Sequence, residues 1–99
     1  MLPIVTDGKD AALPDRVSLR TRAGFGAFTR GSRIRRGLTQ EQLAQAVGKS
    51  RRWLQDVEQG KVAPSLSAAM DLVAALGYEL VAERAKPTDV LDHVFADLP

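Results

Sequence analysis

The sequence predicts an all-α bundle of four to five short helices, followed by a short C-terminal β-strand. Apolar residues recur at intervals of three and four along residues 21–77, which is the period of an amphipathic helix. Glycine ends most of these patterns, and Ser or Thr precedes most of them, as helix caps require. A length of 99 residues suits one compact domain. Because the chain contains no cysteine, we expect no disulfides and no thiolate metal sites.

The first predicted helix starts at Thr21, after an N-terminal arm formed by residues 1–20. Phe25, Phe28 and Ser32 lie on one face of this helix. Each glycine inside it costs about 1 kcal/mol relative to alanine. We therefore expect packing against other elements to hold this helix in place.

Two shorter helices come next and are joined by a brief turn. Thr39 and Gln42 form a capping box at the start of the first, and Gly48 ends it. Ser50 is a suitable N-cap for the second, which runs from Arg51 to about Gln59. Two short helices at this spacing predict a helix-turn-helix, and residues 21–77 are its domain.

The fourth predicted helix is capped by Ser65 and ended by Gly77. Its predicted buried face consists of Leu66, Ala69, Met70, Val73 and Leu76. Residues 78–85 alternate imperfectly and predict a strand, whose open edges need a partner. Pairing with a second copy of the chain would bury a predicted dimerisation set of Tyr78, Leu80, Val81 and Ala82. The remaining residues, 86–99, form an acidic tail that includes a marginal helix over 89–95.

Charge is distributed unevenly along the chain. The formal net charge of +2 separates into +8 for residues 16–61, −2 for residues 1–15 and −4 for residues 62–99. A segment this basic is typical of a surface that binds a polyanion such as DNA. The alternative is a basic face that is simply solvated.

The stretch from Gly37 to Lys61, GLTQEQLAQAVGKSRRWLQDVEQGK, resembles the helix-turn-helix of the phage repressor, Cro and XRE family. With the flanking helices, the resemblance spans about residues 25–77. It implies a lambda-repressor-like fold. Within that family, Ser50 to Leu54, the Asp56 to Glu58 spacing and the strand-like Tyr78 to Leu80 are most similar to the HipB-like antitoxin-repressors.

A helix of this kind fits the major groove of DNA and directs its N-terminal residues toward base edges. A guanidinium there bonds both O6 and N7 of guanine, so Arg51 and Arg52 are the main candidates. Asp56 either accepts a hydrogen bond from a cytosine amino group or pairs with Arg52, and we favour the pairing. The predicted base contacts are Ser50, Arg51, Arg52, Gln55 and Asp56.

The predicted phosphate contacts, which set register without reading sequence, are Gln40, Arg33, Trp53, Gln59 and Lys61. Trp53 either packs on the first helix or flanks the sugar-phosphate backbone, and we favour packing. Trp53 and Lys49 depart from the family pattern, which has a small residue and an apolar residue at these places. The resemblance also implies a salt bridge between Arg33 and Glu58, across the first and third helices.

The resemblance implies a cytoplasmic, nucleoid-associated homodimer that binds a palindromic operator and represses its own operon. It further implies a neighbouring HipA-type kinase toxin, for which the acidic tail is a candidate binding segment. A stand-alone regulator and a protein-interaction module are the alternatives. We expect no enzyme, catalytic residues, cofactor or metal, because the carboxylates are scattered over helical faces, and no membrane span, because no apolar run approaches ~20 residues.

Overall fold

The computed structural model describes residues 13–85, which fold into four α-helices. The helices are α1 (Arg22–Arg35), α2 (Gln40–Ala46), α3 (Arg51–Glu58) and α4 (Leu66–Ala75). The predicted helical bundle is therefore confirmed for this part of the chain. The start of the N-terminal arm, the acidic tail and its marginal helix lie outside the described residues.

All four helices begin and end in the same way. A Ser or Thr hydroxyl accepts a hydrogen bond from the backbone N–H of the third helical residue, at Thr21, Thr39, Ser50 and Ser65. Each helix ends in a Schellman motif around a glycine of positive φ, namely Gly37, Gly48, Gly60 and Gly77. These signals are local, which explains why the predicted bounds hold to within a residue or two.

The turn between α2 and α3 shows how such an ending directs the chain. The N–H of Lys49 donates to the carbonyl of Ala44 at 2.9 Å, and the N–H of Gly48 donates to Gln45 at 3.1 Å. Gly48 has a φ of 69°, in the left-handed region that favours glycine. The chain turns after α2, and α3 begins at Arg51, directly after its N-cap Ser50.

The core of the bundle lies where α3 packs on α1 and α2, with α4 closing one side. Its fully buried side chains are Leu43, Leu54, Val57, Leu72 and Leu76. Leu54 and Val57 face inward, as predicted. Because α3 is held by this one apolar face, its opposite face is turned outward.

Gly26 explains why α1 contains glycine in its middle. A Cβ atom at this position would lie 2.7 Å from the carbonyl oxygen of Glu58 and would also collide with the carbonyl oxygen of Val57. The backbones of α1 and α3 therefore touch at Gly26. The cost of glycine to the helix is offset by a close crossing that orients α3.

The predicted buried face of α4 is partly wrong. Ala69, Val73 and Leu76 are buried, but Met70 is 51 % exposed and Leu66 is 71 % exposed, with Ala68 and Leu72 buried in their place. This helix carries apolar residues on most of its circumference, so spacing alone does not identify its inner face. Packing against α2 decides the rotation.

The segment after α4 has no assigned strand within the described residues. Tyr78 turns toward the helical bundle of its own chain, where its ring packs edge-on against Phe28 with centroids 4.9 Å apart. Its hydroxyl donates to the carbonyl of Pro14 at 2.8 Å, and Arg16 forms an ion pair with Glu83. A strand exists only when its backbone pairs with another, so the predicted strand stays a prediction that depends on a second copy.

Candidate nucleic-acid interface

The outward face of α3 carries the arginines singled out in the sequence. Arg51 and Arg52 are both exposed, and the side chain of Arg52 is 80 % accessible. Gln55 and Asp56 lie half-buried beside them. We call Ser50, Arg51, Arg52, Gln55 and Asp56 the recognition surface. Two guanidinium groups on adjacent residues at the start of an outward-facing helix have the geometry needed to enter a major groove.

Within the recognition surface, Arg52 and Asp56 form an ion pair one helical turn apart. The distance from Arg52 Nε to Asp56 Oδ1 is 3.4 Å. The carboxylate lies beside Nε of the guanidinium, and the arginine side chain stays largely accessible. The favoured interpretation of Asp56, a partner that holds the arginine fork, agrees with this geometry.

Ser50 is exposed and also serves as the N-cap of α3. Its hydroxyl oxygen accepts the N–H of Trp53 at 3.0 Å and so caps α3. The hydroxyl hydrogen is not used in that contact, and a hydroxyl is both donor and acceptor. A base or phosphate contact by Ser50 is therefore compatible with capping.

The salt bridge between Arg33 and Glu58 is present and lies almost wholly inside the protein. Arg33 Nε donates to Glu58 Oε2 at 2.7 Å and Nη2 donates to Oε1 at 3.1 Å, with side chains 11 % and 2 % exposed. Nη1 of Arg33 donates to the carbonyl of Leu38 at 2.9 Å. Every nitrogen of this guanidinium has an internal partner. We therefore remove Arg33 from the candidate phosphate contacts and assign it to the packing of α1 on α3.

Gln40, at the first position of α2, joins the same group. Its Nε2 donates to Glu58 Oε1 at 3.1 Å, and the side chain is half-buried. One amide hydrogen is used in this bond and a second remains. Gln59 and Lys61, the other candidate phosphate contacts, are exposed just beyond the end of α3.

Trp53 packs against the hydrophobic core and is half-buried. The packing interpretation of this residue is consistent with that position. Lys49 lies beside it, with its ammonium nitrogen 5.4 Å from the centroid of the indole ring. The sequence placed Trp53 at the candidate interface but gave no contact to Lys49.

Sequence reasoning also missed the role of Arg36. Its Nε donates to the carbonyl of Leu76 at 2.6 Å, which caps the C-terminal end of α4 from the end of α1. A cation is favourable at the negative end of a helix dipole. The two residues are 40 positions apart, and no local pattern links them.

A second surface is formed where the described part of the N-terminal arm meets the segment after α4. A cleft of about 400 Å³ lies between residues 15–20 and residues 78–83. Of the predicted dimerisation residues, Leu80 is 40 % and Val81 is 73 % exposed. Ala82 is exposed as well, whereas Tyr78 is half-buried by contacts within the chain.

A family model described as a helix-turn-helix domain matches residues 19–86. The chain belongs to the helix-turn-helix domain family. The match covers all four helices and the whole of the recognition surface. A comparison with curated proteins finds no match.

Among solved structures, the helix-turn-helix domain is similar to the clp gene regulator ClgR from Corynebacterium glutamicum. The two are 31 % identical with a TM-score of 0.57, over 59 % of this chain and 62 % of the other. The chain thus spans less than two thirds of that structure.

None of the helices within residues 13–85 has the length and apolar character needed to cross a membrane. The same residues hold no group of three or more His, Cys, Asp or Glu side chains able to bind a metal ion.

Proposed function

We propose that this protein is a sequence-specific DNA-binding repressor that acts as a homodimer. The observation that carries the proposal is the outward display of Arg51 and Arg52 on a helix whose other face is fixed in the core. Membership of the helix-turn-helix domain family and the likeness to a gene regulator support it. In this proposal two copies of α3 enter successive major grooves about 34 Å apart and read a palindrome.

The test is selection of binding sequences from a random pool of DNA duplexes, followed by affinity measurement on the enriched duplex. We expect an enriched sequence with two-fold symmetry, and affinity that falls steeply with salt. Failure of every duplex to associate at low ionic strength would overturn the proposal. Specificity is the ratio of the affinity for the selected duplex to that for a scrambled one.

Substitution of the recognition arginines gives the sharper prediction. Arg51→Ala or Arg52→Ala should lose about 1–3 kcal/mol of discrimination for each bidentate guanine contact removed, so the specificity ratio falls by about fivefold or more for each such contact. Arg35→Ala is the matched control, since it removes an exposed arginine from the end of α1, outside the recognition surface. It should leave the ratio of the two affinities at the wild-type value. Equal ratios for all three variants would contradict base reading by α3.

We also propose an antitoxin role, which has less support than DNA binding. Its support is the resemblance of Ser50 to Leu54, and of the Asp56 to Glu58 spacing, to the HipB-like antitoxin-repressors. The candidate toxin-binding segment, residues 86–99, lies outside the described residues. Pull-down of a HipA-type kinase by the full chain, and its loss on removal of residues 86–99, would support the pairing. Retention of DNA binding without any kinase partner would favour the stand-alone regulator.

A further inference from the structure

Lys49 lies in the turn between α2 and α3, and its backbone is fixed there. Its N–H is held by the carbonyl of Ala44 at 2.9 Å, so the side chain leaves the turn from a defined point. The side chain is exposed, and the ammonium nitrogen lies 5.4 Å from the centroid of Trp53. This distance is within the range of a cation–π contact.

The surroundings of Lys49 are unfavourable for a cation in the free protein. Arg51 and Arg52 follow it closely, and all three stand at the N-terminal end of α3, where the helix dipole favours negative charge. No carboxylate pairs with Lys49 among the salt bridges of the described residues. The electron-rich face of the Trp53 ring is what stabilises the ammonium group at this place.

Trp53 differs in its placement from the arginines of the recognition surface. It borders the buried face of α3, where Leu54 and Val57 pack, whereas Arg52 and Asp56 belong to the outward face. Lys49 therefore lies along the flank of α3. When a helix occupies a groove, its outward face meets the bases and its flanks meet the phosphates that form the groove walls.

We propose that Lys49 binds a DNA phosphate beside the recognition surface, and that Trp53 acts as a positioning residue that holds Lys49 for this contact. The inference rests on the proposed function and deepens it. It also gives Trp53 a different role from the direct phosphate contact predicted from sequence. In this proposal the half-buried indole of Trp53 orients the side chain of Lys49, and the ammonium group of Lys49 contacts the phosphate.

The first experiment measures how the affinity for the selected duplex depends on salt. Each phosphate contact contributes about 0.9 to the slope of log affinity against log salt concentration. Lys49→Met should reduce the slope by about 0.9 for each bound subunit. When the salt concentration rises fourfold, the variant should therefore lose about 3.5-fold less affinity than the wild-type protein for each bound subunit. Lys49→Arg keeps the charge and should keep the slope.

Arg35→Met is the charge control, because it also removes one cation from an exposed position but lies at the end of α1. Its slope should stay at the wild-type value. If Lys49→Met leaves the slope unchanged, or if Arg35→Met changes it equally, Lys49 makes no phosphate contact and the inference fails. If wild-type protein binds no duplex at all, the proposed function itself fails.

The second experiment tests positioning by a double-mutant cycle on the same duplex. Trp53→Leu keeps an apolar side chain against the core but removes the π face, and should weaken DNA binding about twofold to fivefold. In the Lys49→Met background it should have no further effect, and Trp53→Phe should restore most of the affinity in the wild-type background. Thermal unfolding of each variant checks that the fold is kept. Additive effects, or no rescue by Phe, would overturn the positioning role.

Discussion

Glu58 is the only carboxylate that is buried among the described residues, and its contacts show how single residues set the frame of the site. It receives three hydrogen bonds, two from Arg33 and one from Gln40. A buried carboxylate with this many donors is satisfied, but removal of one partner leaves the other charge inside without compensation.

The resulting prediction compares single and double substitutions. Arg33→Met and Glu58→Leu should each lower the free energy of unfolding by about 3 kcal/mol, and the double variant should be less destabilised than either, because it leaves no buried charge. Urea unfolding measures all three. As a control, Arg52→Met removes an ion pair whose arginine is exposed, and should change stability by less than about 1 kcal/mol. Additive losses in the double variant would contradict this view of the pair.

The Arg33–Glu58 bridge was implied by resemblance, whereas two other residue contacts were not foreseen. Arg36 reaches Leu76 from a distant part of the chain, and Lys49 reaches Trp53 around a turn. Long basic side chains have many rotamers, so their partners are decided by which acceptor or ring the fold brings within reach. The sequence therefore shows that Arg36 and Lys49 are cationic, but it does not show which groups they contact.

At the scale of elements, the angle between α1 and α3 depends on the absence of a side chain at Gly26. Ala at this position would place a Cβ atom against the carbonyls of Val57 and Glu58, neither of which can rotate away. We expect Gly26→Ala to destabilise the protein by about 1–3 kcal/mol, by forcing the two backbones apart. Thermal or urea unfolding measures the change.

Gly31 is the matched control on the same helix. A Cβ atom there would meet only the flexible guanidinium of Arg35, at 3.3 Å. Gly31→Ala should therefore be neutral, or stabilise the protein by up to about 1 kcal/mol through better helix propensity. If both substitutions proved equally mild, the close crossing of α1 and α3 would not be a determinant of the fold.

At the scale of the whole molecule, the proposed homodimer depends on the segment after α4. In the proposed homodimer the segment after α4 pairs with its symmetry mate. Tyr78 is already packed on Phe28 within the chain, so Leu80, Val81 and Ala82 are the predicted residues left exposed for a partner. The dimer contact is expected to be isologous, with the same surface used on both subunits.

We expect light scattering to give a dimer at micromolar concentration and Val81→Asp to give a monomer, since a charge would be buried in the interface. Leu66→Asp is a matched control, because Leu66 is 71 % exposed and Val81 is 73 % exposed. It should remain dimeric. A monomeric wild-type protein would contradict the proposed dimer. A monomer produced by Leu66→Asp but not by Val81→Asp would contradict an interface formed by the segment after α4.

The amino-acid sequence by itself determined the helices, their ends and the residues that α3 offers outward. Capping hydroxyls, Schellman glycines and apolar spacing act within a few residues, so they can be read without knowledge of the fold. Only the tertiary structure decided the rotation of α4, the inward turn of Tyr78, and the partners of Arg36 and Lys49. The first three depend on contacts between segments that are distant in the chain, and the contact of Lys49 with Trp53, four residues away, depends on how the indole packs on the core. In each case several arrangements satisfy the same local pattern and packing selects one.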